Sequence, residues 1–90
     1  MNPLYIQVHS NDNVAIIVNP EGVAPGATFS NGLVARESIP QSHKITLSAI
    51  PAGTPIVRYG EVIGHALADI ESGRWIREDM LSLPSAPPLD

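Results

Sequence analysis

Two polar groupings in this chain carry residue types suited to acid–base or anion-binding chemistry: His9 with Asp12 and Asn13, and His43 with Lys44. An imidazole changes charge near neutral pH, so either histidine could carry a proton there. Lys44 could anchor a carboxylate. Arg58, in the run Arg58-Tyr59-Gly60-Glu61, offers a planar fork that matches a carboxylate, or could pair with Glu61 across a hairpin corner. Each grouping also has a plain structural reading. Asp12 and Asn13 are turn formers that bond their own backbone, and His9 could simply end a strand. His43-Lys44 follows the Ile39-Pro40 turn, where an exposed polar pair is common. His and Asp are suitable metal ligands, yet two residues three apart in a loop do not fill a site. His65, between Gly64 and Ala66, reads as a strand residue without chemistry, and Trp75 as a core or interface residue. No nucleophile motif, phosphate loop or paired-histidine metal motif is present. Both readings of the two groupings stay open at this level.

The elements that must position these residues are short. Pro and Gly interrupt the chain repeatedly from Pro20 to Gly73, and each costs a helix interior roughly 1 (Gly) to 3 (Pro) kcal/mol. Between them lie runs rich in Val and Ile, which predict strands over residues 5–9, 14–18, 44–47, 56–58, 62–67 and 81–83. Helix is confined to single turns at 33–37 and 77–80. A spacing of apolar residue, Gly or Ser, apolar residue, three apart, recurs as Val23/Gly26/Phe29, Ile39/Ser42/Ile45, Ile50/Gly53/Ile56 and Ile70/Gly73/Ile76. It predicts tight turns with positive φ, bracketed by side chains that enter the core. The predicted core is Ile16, Val18, Ile39, Ile45, Leu47, Ile50, Ile56, Val62 and Ile70. The expected fold is all-β, a small β-clip with short strands, over residues 1–83. Residues 84–90 are Pro-rich and read as an extended linker toward a larger domain.

Ninety residues make one small domain with a modest core. The net charge of −4 and the scatter of its five Lys and Arg residues exclude a nucleic-acid surface, though an anionic small molecule needs one or two local cations. With no cysteine, disulfides and zinc–thiolate sites are excluded. The N-terminus lacks signal-peptide character, and the longest apolar run, residues 14–18, falls far short of a membrane span. A cytoplasmic address and no membrane partner are the expectations.

Four segments, His9 to Ala15, Ile39 to Lys44, Ile50 to Gly53 and Arg58 to Gly64, resemble in order and spacing the SAF-type N-terminal domain of the altronate/galactarate dehydratase family, which also takes in the small subunit of sulfolactate sulfo-lyase. The run Trp75 to Met80 stands where other branches carry His-x-His-Asn, and together with the Pro-rich tail it selects the galactarate branch. Ser42 departs from the Gly usual before His-Lys. The resemblance implies a SAF β-clip fold and a divalent-metal-dependent hydro-lyase, with iron the expected metal. That enzyme would remove water from galactarate to give 5-dehydro-4-deoxy-glucarate. It implies that the domain caps an active site built mainly by its own C-terminal catalytic domain. The metal would be held in the full-length enzyme, with no metal site and no tightly bound cofactor in this chain. The resemblance makes His9, His43 and Lys44 the catalytic candidates and Asp12 and Asn13 candidates for holding a sugar dicarboxylate; Arg58 joins them on the strength of its fork. This chain alone is expected to be inactive. A domain built to sit against a larger one exposes apolar surface, which allows a homo-oligomer. The competing functions are a stand-alone sulfo-lyase subunit and a non-catalytic carbohydrate- or ice-binding module. The sparse aromatics and the three threonines Thr28, Thr46 and Thr54 weigh against the module.

Overall fold

Turns organise this domain. The computed structural model describes residues 2–82. Gly26, Ser42, Gly53 and Gly73 all take left-handed backbone, with φ of 87°, 73°, 82° and 79°. The apolar residues bracketing them, Val23, Phe29, Ile39, Ile45, Ile50, Ile56, Ile70 and Ile76, are all buried. Each turn residue donates its amide to a carbonyl elsewhere in the chain: Gly26 to Ala35 (2.7 Å), Ser42 to Ile17 (2.8 Å), Gly53 to Ala66 (2.7 Å) and Gly73 to Thr46 (2.9 Å). The first anchors of these turns also pair, Val23 with Ile39 and Ile50 with Ile70. The spacing expectation holds at all four turns, Ser42 included.

Seven short strands hang on this framework. They are β1 (Tyr5–Ile6), β2 (Val14–Ile17), β3 (Lys44–Thr46), β4 (Pro55–Arg58), β5 (Glu61–Ala66), β6 (Trp75–Ile76) and β7 (Leu81–Ser82). One antiparallel sheet runs β1-β2-β3-β6 and the other β4-β5-β7. The fold is all-β, as expected, and a 3-10 turn at Glu78–Met80 is its one helical element among the described residues. β6 is a strand that the sequence did not suggest: the Gly73 turn delivers it to β3, opposing Lys44 to Ile76 and Ile45 to Trp75. β1 is shorter than expected. The chain leaves it at Gln7, whose side-chain amide donates to the Asp12 carbonyl at 3.0 Å. Residues 33–37 are extended rather than helical: Val34 bridges Thr28, and the Ala35 amide donates to Ala27 at 2.8 Å. Buried Leu33 and Ala35 alternate there with exposed Val34 and Arg36, a strand period. Residue 83 and the expected linker, 84–90, lie outside the described residues.

The core is double. Ala15, Ile17, Val23, Phe29, Leu33, Ile39 and Ile45 form one cluster; Val14, Ile50, Ile56, Ala66, Ile70, Ile76 and Leu81 form the other. β2 alternates between them, Val14 entering one and Ala15 and Ile17 the other. Four expected core residues differ. Ile16, Val18 and Leu47 are half-buried, and Val62 is 48% exposed. Ile16 lies in a row between exposed Ile6 and half-buried Lys44. Val62 follows a register shift between Ile56 and Val57 that turns the hairpin tip away from the core.

Candidate functional site

The loop at 9–13 and the hairpin tip at 58–61 are tied into one unit. Arg58 and Glu61 oppose each other across Tyr59-Gly60, and both central residues are left-handed, at φ 56° and 74°. That is the type I′ geometry of a two-residue hairpin loop. The Asp12 carboxylate accepts the Gly60 amide at 2.8 Å and the His9 amide at 3.1 Å. Asn13 accepts from the Val57 amide at 2.7 Å and donates to the Pro55 carbonyl at 2.8 Å. Burial works against charge on Asp12, but the Gly60, His9 and Tyr59 amides and the nearby His9 hold its carboxyl below its ordinary pKa. The exposed His9 ring lies over Gly60, where an added Cβ would come within 3.0 Å of it. Its Nδ1 accepts the Asn11 amide at 3.1 Å. The side-chain oxygens of Asp12 and Asn13 are thus engaged in fixing the hairpin.

On the hairpin's other flank Arg58 meets Lys44. These two, with Ile63, Ile76, Glu78 and Leu81 among others, line a pocket of about 150 Å³. The Arg58 guanidinium stacks on the Tyr59 ring at 4.9 Å, and its Nε is buried without an acceptor. Burial lowers the Lys44 pKa from its ordinary value and Arg58 lowers it further, with Glu78 opposing both. The remaining cations are committed elsewhere. Arg36 pairs with Glu71 at 3.0 Å, Arg74 with Glu37 at 2.7 Å, and Arg77 with Glu37 at 3.7 Å and Asp79 at 3.9 Å. Among the described residues Lys44 and Arg58 form no salt bridge, and no Arg58–Glu61 pair forms across the corner.

A second cleft, lined by His43, Lys44, Trp75, Ile76, Arg77 and Glu78, shares residues with the first. His43 packs edge-on against Trp75 at 5.1 Å, and the Arg77 guanidinium stacks on the same Trp75 ring at 5.0 Å. Arg58 and His43 therefore line neighbouring clefts that share Lys44, Ile76, Arg77 and Glu78, together a polar groove. His9, Asp12 and Asn13 reach it through the hairpin that carries Arg58. His65 sits exposed in β5, opposite Pro55. Sequence reading missed Arg77 and Glu78 as lining residues. The alternation Trp75-Ile76-Arg77 after the Gly73 turn is the strand signal that could have found them. Such a groove can attract an anion, and His43 at its mouth can exchange a proton with it.

Comparison with known proteins adds a family. The sequence profile described as the altronate/galactarate dehydratase SAF domain matches residues 3–84. The chain is similar to galactarate dehydratase (L-threo-forming) of Escherichia coli K12, 56% identical over 85 residues, covering 94% of this chain and 16% of that enzyme. It is similar to altronate dehydratase of the same organism, 36% identical over 70 residues, covering 77% of this chain and 14% of that enzyme. It is also similar to altronate dehydratase of Bacillus subtilis 168, 32% identical over 75 residues, covering 80% of this chain and 15% of that enzyme. The chain thus spans at most 16% of the length of these relatives.

Proposed function

We propose, because this chain belongs to the altronate/galactarate dehydratase SAF-domain family, that it is the capping domain of a sugar-acid hydro-lyase acting on galactarate. The product would be 5-dehydro-4-deoxy-glucarate. The observation carrying this reading is the 56% identity to a galactarate dehydratase across 94% of the chain, against 36% and 32% for altronate dehydratases. A larger catalytic domain of the same polypeptide would hold most of the machinery, and a cytoplasmic location goes with this reading. No described helix is long and apolar enough to cross a membrane.

Removing water beside a carboxylate needs a base for the α-proton. It also needs positive charge for the enediolate-like transition state and an acid for the departing hydroxyl. Lys44 and Arg58 would supply positive charge at the substrate's carboxylate end. His43 at the groove mouth and His9 over the hairpin are the candidate proton carriers. Asp12 and Asn13 would act by positioning, since they hold the strand and turn that carry Arg58. A divalent metal, iron in this proposal, would polarise the leaving hydroxyl. The described residues do not fit such a metal, because no three His, Cys, Asp or Glu side chains converge. In this proposal its ligands belong to the larger domain.

The test uses the full-length enzyme. His9→Ala, His43→Ala and Lys44→Ala should each lower kcat for galactarate strongly with little change in thermal midpoint, whereas His65→Ala should be nearly silent. Normal turnover in all three would remove the capping role. Measurable galactarate turnover by this chain alone, with iron supplied, would show that the catalytic machinery had been assigned to the wrong domain.

A further inference from the structure

One row of side chains crosses the whole of the first sheet: Ile76 on β6, Lys44 on β3, Ile16 on β2 and Ile6 on β1. Burial falls along it. Ile76 is 1% exposed and packs with Ile56, Ala66 and Leu81 of the second sheet, Lys44 and Ile16 are half-buried, and Ile6 is 53% exposed. The second sheet thus covers one end of this face and leaves the other bare. Leu4, two residues before Ile6 and therefore on the same face, is as exposed, and so is Val8, two residues after it. The opposite side of β1 is occupied, because Tyr5 packs into the first core. β1 is also an edge strand, and no charged side chain stands between Asn2 and Val8. Edge strands that face water are normally guarded by charge, above all by lysine.

A second bare group adjoins the first. His9 follows Val8, and its ring lies over Gly60 at the hairpin tip, where Tyr59 and Val62 are also about half exposed. Five of the seven large hydrophobic side chains exposed among the described residues therefore belong to residues 4–8 and this tip. Singly scattered exposed hydrophobics are ordinary, whereas a contiguous group marks an interaction surface.

We propose that this surface, centred on Ile6 and reaching the Tyr59-Gly60 tip, is the docking face for the larger domain of the same polypeptide, which would meet it with an apolar surface of its own. Three observations favour that occupant over a second copy of this chain. β7 runs antiparallel to β5, with Leu81 opposite Ala66 and Ser82 opposite His65. Its C-terminal end is therefore directed toward the tip, and a domain that follows β7 starts on the side of the bare face. The row that bares Ile6 also carries Lys44, which lines the groove, so a body seated on Ile6 and Ile16 borders the groove and closes it on that side. The relatives are also far longer than this chain, which leaves ample polypeptide to fill the face. That a larger domain accompanies this one rests on the proposed function; the bareness of the face does not.

Hydrogen exchange read by mass spectrometry, on the full-length enzyme and on this 90-residue chain, tests the assignment. Peptides covering residues 4–8 and 58–63 should exchange more slowly in the full-length enzyme by about tenfold or more, the scale of burying one aliphatic side chain. Leu67, exposed just past the far end of β5, serves as the control: slowing there equal to that at residues 4–8 would mean general stabilisation and overturns the docking face. Ile6→Lys should keep this chain folded, since the side chain is already half in water, and in the full-length enzyme should return both segments toward the exchange of the chain alone. Val8→Lys serves as the second variant should Ile6→Lys unfold the chain. Equal exchange in the two parent proteins, or full protection kept in the variants, overturns the docking face. A concentration-dependent dimer of this chain that Ile6→Lys disperses also overturns it, by giving the face to a second copy. Protection in a full-length enzyme that does not turn over galactarate upholds the face and counts against the proposed substrate.

Discussion

The carboxylate of Asp12 accepts the backbone amide of Gly60 at 2.8 Å, across 48 residues of chain. A surface loop and a hairpin tip thereby move as one body, and the tip carries Arg58. Because backbone amides hold the Asp12 pKa below its ordinary value despite burial, the bond carries a pH signature.

The folded-state pKa of Asp12 is depressed, so its contribution to stability is fully present above the ordinary carboxylate range near ~4. It is lost as pH falls through the lower folded-state value. Asp12→Asn should reduce stability at neutral pH and flatten the stability curve below about pH 4 relative to the parent. Urea midpoints measured between pH 7 and pH 2.5 check this. Parallel curves for the two proteins would contradict it.

Ser42 holds φ 73° where three equivalent turns use glycine. A left-handed conformation costs a non-glycine residue about 1–2 kcal/mol, and glycine gives back about 0.5–1 kcal/mol in backbone entropy. Ser42→Gly should therefore stabilise the domain by about 0.5–1 kcal/mol. In a domain of this size that raises Tm by a few degrees, as calorimetry would show.

Gly73 and Gly53 have nearly the same φ, 79° and 82°. A Cβ at Gly73 would lie 1.9 Å from the Val34 carbonyl oxygen, whereas one at Gly53 meets nothing within 4 Å. Gly53→Ala should cost about the left-handed penalty alone, roughly 1–2 kcal/mol. Gly73→Ala should cost visibly more and leave much of the population unfolded. Equal melting temperatures for the two variants would show that the Val34 contact yields easily.

Ile50 is 2% exposed and bridges Ile70, while Val62 is 48% exposed on the hairpin. Ile50→Ala should cost on the order of 2–5 kcal/mol, enough to unfold a small domain. Val62→Ala should stay within about 0.5 kcal/mol of the parent. Denaturant titration of the two variants separates these outcomes.

The turn framework is legible in the sequence because each turn is local: an apolar residue, a left-handed residue and an apolar residue fall at fixed spacing, and all the anchors are buried. What the sequence leaves hidden is set by distant partners. Tyr5-Ile6-Gln7-Val8-His9 alternates like a strand, yet β1 ends at Ile6, where the chain enters a loop that the Gln7 side chain ties to the Asp12 carbonyl. Asp12 and Asn13 look like ordinary turn residues. Their work is done on residues 42 to 48 positions away. Lys44 and Arg58 each read as a possible anion contact, but nothing in the order of residues places them beside one pocket. β6 is only two residues long, and its one signal is the brief alternation Trp75-Ile76-Arg77 behind the Gly73 turn.

The amides that close the four turns also impose a schedule on synthesis. Gly73 reaches back to Thr46 and Ser42 to Ile17, and β6 completes a sheet whose other strands end at Thr46. The Arg74 amide meets the Thr46 hydroxyl across 28 residues. At ribosomal rates of about 5–20 residues per second, that span takes roughly 1–6 s to emerge. For that interval β3 presents an open edge with no strand to cover it, a surface on which chains made side by side can pair wrongly. The last third of the domain thus decides both when the groove around Lys44 exists and how long a nascent chain stays vulnerable before it does.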